Sequence, residues 1–144
     1  MNAYRHFMRV FGYVYAVGAA TFLFLPQRIF DLINSVPQHI GFLVTIPPAS
    51  EYFWLPLATS MMVMLSVLSF LAATHPHHRG YPLTILISKI SSTAAFSLLL
   101  VTHQPYFAYL LGILTDLPIA LALGYFMLRL APQQTLGSNY EGIS

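Results

Sequence analysis

YPLTILISKISSTAAFSLLLVTHQPYFAYLLGILTDLPIALALGYFMLRL, residues 81–130, reads as two apolar runs separated by the short connector His103 to Pro105. Each run has about the twenty residues that a helix needs to cross the hydrocarbon core of a bilayer. So short a connector makes the two helices antiparallel neighbours. One charged residue is set into the apolar part of each run, Lys89 in the first and Asp116 in the second.

Upstream, Thr74 to Gly80 is another short polar connector, and before it a further apolar run extends from about Tyr52 to Ala73. Tyr52, Phe53 and Trp54 open that run where interfacial rings are expected, and Pro56 falls in its first turn, where proline is tolerated. The earliest run covers about Phe7 to Leu25 and stops at Pro26. Arg5 and Arg9 ahead of it, with Gly18, Ala19 and Ala20 within it, resemble a secretory signal peptide. Thr21 to Leu25 carries the hydrophobic run past those small residues, so a retained first helix is the expectation and cleavage the alternative.

The sequence therefore predicts an all-α, polytopic membrane protein: a single domain over 1–144 with spans at about 7–25, 52–73, 82–102 and 106–130 forming a four-helix bundle. Composition agrees, because 57% of the 144 residues are hydrophobic and 7% charged, with mean hydropathy +0.69. An ordinary soluble domain carries roughly a quarter charged residues. Between Pro26 and Ser50, four prolines and isolated polar residues interrupt the chain too often for a span. This segment is expected to lie along the interface, with Ile29, Phe30, Leu32, Ile33 and Val36 patterned for a short amphipathic helix or, alternatively, belonging to an ordered capping loop. Residues 131–144 make a polar tail.

The six Lys and Arg against four Asp and Glu are scattered, which removes nucleic acid as a partner. With no Cys, disulfides, thiolate metal sites and dithiol chemistry are excluded. Arg5, Arg9, Arg79 and Arg129 fall on one side of the four-span arrangement and Arg28 on the other, which predicts both termini in the cytoplasm. The expected location is a bacterial inner membrane.

An ionised side chain at a helix centre costs roughly 2.5–3.5 kcal/mol on insertion scales, while each Leu or Ile returns about 0.3–0.6. Lys89 lies ten residues from Arg79, about 15 Å of helix, and Asp116 thirteen from Arg129, about 20 Å. A lysine side chain spans the difference, so an ion pair between these helices is expected. Ala108, Gly112, Asp116, Ala120 and Gly124 recur every fourth residue as a small-residue stripe that admits a close neighbour. Lys89, Thr93 and Ser97 recur likewise, with Ser92 beside them, and both charges are expected to face the bundle interior. Pro118 removes the bond that would satisfy the Leu114 carbonyl. Lys89, Asp116, Ser92 and Thr93 are the candidate intramembrane polar site. It reads as polar glue fixing helix register, as a binding or proton-handling site, or as a contact with another subunit or second copy.

Weaker constellations lie at the span ends. Glu51, Trp54 and His103 are a candidate cavity mouth, with a satisfied interfacial Glu51–His103 pair as the alternative. His75, His77 and His78 beside Arg79 form a small imidazole cluster with the donors for a divalent metal, a weak signal because it lacks a carboxylate and fixed spacing. Met61, Met62, Met64 and Met127 read as packing residues. Gly12, Ala16 and Ala20 make another close-packing stripe. No nucleophile motif, phosphate loop or zinc-protease helix occurs, and no cofactor is named by any motif.

Arg9, Gly12, Gly18 and Pro26, together with the span count, resemble the DoxX-like group of small four-helix bacterial membrane proteins. That resemblance implies a small membrane subunit, in some cases associated with quinone-linked oxidoreductases. Lys89 and Asp116 match no motif of that group, so no functional residue is carried over. The leading expectation is a small accessory or structural subunit of an inner-membrane complex. The competing one is a binding protein or enzyme for a lipid-like or quinone-like small molecule that contacts Lys89 and Asp116.

Overall fold

The computed structural model describes residues 2–40, 44–46, 54–103 and 105–130. These residues are helical almost throughout, in the order α1 (Asn2–Phe24), α2 (Pro26–Ile40), α3 (Trp54–Thr74), α4 (Gly80–Thr102) and α5 (Phe107–Leu130). Four of the five, all but α2, are long and apolar enough to cross a membrane. Helix α1 starts at Asn2, five residues ahead of the hydropathy run that begins near Phe7. Hydropathy marks where a helix becomes apolar, whereas its hydrogen-bond ladder extends into the polar residues before it.

Helix α1 packs most closely on α3, and α4 on α5. Glycine explains both approaches. A Cβ on Gly12 would stand 2.8 Å from the Phe70 ring, and one on Gly112 would stand 2.5 Å from the Phe96 ring. Only a residue without a side chain lets either ring rest on the neighbouring backbone. At Gly12 the same approach lets the Ser66 hydroxyl of α3 donate to the Gly12 carbonyl at 2.8 Å.

The two pairs meet at the end where α1 begins. There Phe126 of α5 contacts Tyr4 and Phe7 at centroid separations of 5.9 and 5.1 Å, and Met8, Ala72, Ile85 and Leu123 are buried beside them. The core is therefore concentrated at one end and built from aromatic and branched side chains that exclude water by area.

At the opposite end lies α2, a continuous helix, which decides between the two expectations for the segment after Pro26. Pro26 opens it, where the missing N–H costs nothing. Of its apolar positions, Ile29, Phe30, Ile33 and Val36 are partly buried, whereas Leu32, expected with them, falls on the exposed side with Gln27, Arg28 and Asp31. Trp54, at the start of α3, ties three helices together by standing edge-on to Phe22 of α1 and Phe30 of α2 at 6.3 and 5.3 Å.

Residues 44–46 link α2 to the connector before α5. The Asn34 amide donates to the Ile46 carbonyl at 2.9 Å and accepts from the Ile46 N–H at 2.8 Å. Val44 N–H donates to the Pro105 carbonyl and Phe107 N–H to the Val44 carbonyl, each at 3.2 Å. The second bond satisfies one of the orphan donors at the start of α5.

Candidate functional site

Lys89 and Asp116 face each other between α4 and α5. The Lys89 ammonium donates to Asp116 Oδ1 at 2.7 Å, and both residues are 8% exposed. Ser92, one turn after Lys89 on the same face, donates to Asp116 Oδ2 and lies 3.1 Å from the Lys89 carbonyl. Both carboxylate oxygens thus receive a hydrogen bond, and charge-assisted bonds of this kind are roughly twice as strong as neutral ones.

Thr93 turns elsewhere: its hydroxyl donates to the Lys89 backbone carbonyl at 2.8 Å. Ser97 does the same to Thr93 at 2.8 Å. Their four-residue spacing reflects hydroxyls satisfied within their own helix. Across the pair on α5, Thr115 likewise donates to the Leu111 and Gly112 carbonyls, both at 3.0 Å.

Tyr15 of α1 completes the site. The Lys89 ammonium sits over its ring, 5.0 Å from the centroid, an arrangement worth up to about 2 kcal/mol when desolvated. Its buried hydroxyl has no partner among the described residues. Sequence reasoning missed Tyr15 because a tyrosine in an apolar helix looks like packing. The available signal was its depth: interfacial tyrosines belong near the ends of a span, and Tyr15 is in the middle of α1.

The pair opens on a cleft of about 460 Å³. Phe22, Ile29 and Ile33 wall it on the α2 side, Phe96 and Leu111 flank it, and Lys89, Thr115 and Asp116 lie along it. The small residues Ala108 and Gly112 make room for it on α5. Lys89 and Asp116 keep 10% and 12% of their side-chain surface uncovered. A cleft of this volume, apolar except for a few convergent polar groups, has the character of a small-molecule site.

The candidate cavity mouth is described at two of its three residues. Trp54 adjoins the cleft through Phe22. His103 is exposed, and its Nδ1 lies 3.0 Å from the Thr102 hydroxyl. Glu51 lies outside the described residues.

Among the described residues no three His, Asp or Glu side chains converge as metal ligands. His78 instead stacks on Tyr81 with centroids 4.4 Å apart. A second groove of about 310 Å³ runs between α1 and α3, past the exposed Ala16 and Ala20.

No family model, curated protein or solved structure matches this chain.

Proposed function

We propose that this protein is a multi-pass bacterial inner-membrane protein, with both termini cytoplasmic, that binds a lipid-like or quinone-like amphiphile in the cleft beside Lys89 and Asp116. Membrane insertion is supported by the outward faces of the four long helices. Val17 is 65% exposed, Val101 84% and Leu128 76%, and such surface is stable in lipid but not in water. In the bilayer these helices form an antiparallel bundle capped by α2 at the interface.

The observation that carries the binding reading is that the buried ion pair is not closed over by apolar side chains. Its uncovered edge lines the 460 Å³ cleft. A pair serving only to fix helix register gains nothing from an adjoining cavity, since lost packing costs stability.

The test is the double substitution Lys89→Met with Asp116→Leu. A buried pair replaced by apolar residues of similar volume is often neutral or stabilising. The purified variant is expected to fold with an unchanged or raised melting temperature, and to lack the lipid-like molecule that native mass spectrometry is expected to find on the wild-type chain. Equal retention of that molecule by both proteins counts against the site.

A second reading, the accessory subunit that the DoxX-like resemblance implies, rests on the α1–α3 groove. Ala16 and Ala20 of the small-residue stripe are exposed there, open to a helix of another chain. Gentle solubilisation followed by copurification tests it, and a monomer with no stoichiometric partner removes its basis.

A further inference from the structure

The cleft's chemistry specifies more than an amphiphile. Building on the binding reading, we propose that it selects a single-chain amphiphile whose head is an uncharged hydrogen-bond acceptor, such as the carbonyl of an ester or ketone, received by Lys89.

The assignment comes from donor and acceptor accounting. An ammonium has three N–H donors. Asp116 Oδ1 takes one, and the Tyr15 ring covers a second direction with its π face. Among the described residues a donor therefore remains, on a side chain that lines the cleft. Asp116 has less need of a partner, since Lys89 and Ser92 already donate to its two oxygens. A buried donor left unmade is costlier and rarer than a spare lone pair. Thr115 does not compete for the head, because its hydroxyl donates to its own helix.

Charge accounting excludes the other heads. The ammonium and carboxylate cancel, so a neutral head leaves the site neutral. An anionic or cationic head adds an uncompensated charge among Phe22, Phe96 and Leu111. The volume of about 460 Å³ suits one small ligand, which favours a single chain over two.

The chain carries its own reporter. Trp54 is the single tryptophan, and its ring centroid is 6.3 Å from that of Phe22 on the cleft wall. Bromine on a bound alkyl chain quenches tryptophan fluorescence at short range. Four probes with the same brominated chain are titrated into the full-length protein in detergent: a methyl ester, a sulfate, a trimethylammonium and the headless alkane. The unbrominated ester serves as competitor.

Saturable, competable quenching by the ester is expected, at least about tenfold tighter than by the other three. The Lys89→Met/Asp116→Leu variant is expected to bring all four within about twofold of one another. If the sulfate, the trimethylammonium or the alkane binds as tightly as the ester, or if the ester preference survives in the double variant, the head assignment is overturned while the cleft stands. If no probe quenches saturably, the binding reading falls as well. The head series in the wild-type chain decides the matter whether or not the double variant folds.

Discussion

At the level of single residues, Lys89 and Asp116 gain stability from each other and lose it when separated. Lys89→Met or Asp116→Leu alone leaves one charge stranded and is expected to cost about 3–5 kcal/mol, measured by unfolding in detergent. The double substitution is expected to recover most of that, so the coupling in a double-mutant cycle is large and favourable. Additive single effects would mean that the charges do not meet. Ser92→Ala removes a hydrogen bond to a charged group and is expected to cost about 1.5–3 kcal/mol. Glycines provide a matched contrast on α5. Gly112→Ala sets a methyl against the Phe96 ring and is expected to destabilise by about 1–3 kcal/mol. Gly124→Ala, whose Cβ would meet nothing within 4 Å, is expected to be neutral or to stabilise by up to about 1 kcal/mol through helix propensity. Equal melting temperatures for the two variants would refute this account of the α4–α5 approach.

At the level of elements, the four apolar helices are legible because hydropathy over twenty residues is a strong, local signal. The 15-residue length of α2 is less so. Its periodicity suggests an amphipathic helix, but Pro37 and the flanking prolines read as breakers. The Lys89–Asp116 contact follows from depth along two antiparallel helices, which needs only the helical rise and a common end to count from. Ser92 and Thr93 look equivalent in sequence, yet one turns to Asp116 and the other to its own backbone. That choice is made by rotation of the helix by one position, which spacing does not encode. Tyr15 is a tertiary contact from a helix remote in sequence.

The same scale holds the Asn34–Ile46 clamp, which fastens residues 44–46 to α2 with two reciprocal bonds. Asn34→Leu removes both, and amide exchange at Ile46 is expected to quicken by about tenfold or more, each bond being worth about 1 kcal/mol. Unchanged exchange would show that residues 44–46 are held by the Val44 bridge alone.

At the level of the whole molecule, the proposed topology places the connectors on opposite membrane faces. With no native Cys, single cysteines give labelling without background. His103→Cys is expected to react with an impermeant maleimide in intact cells, and His77→Cys only after the membrane is opened. The reverse pattern would invert the orientation and place both termini outside.

The aromatic contacts of Phe126 with Tyr4 and Phe7 have a mechanical consequence. They join the α1–α3 and α4–α5 pairs at one end, while toward the other the cleft lies between the pairs and α2 with residues 44–46 spans it, so the molecule has the construction of tweezers with a strap across the jaws. Its pivot is that ring cluster and its jaws lie near α2. Hinged pairs respond to an occupant by rotating about the pivot, so spin labels at Leu57 and Leu98, both exposed near the jaws, are expected to report a narrower distance distribution when the cleft is filled. Labels at Val10 and Leu128, exposed near the pivot, are expected to report no change, and a molecule gripping its ligand in this way would sense chain thickness as an angle.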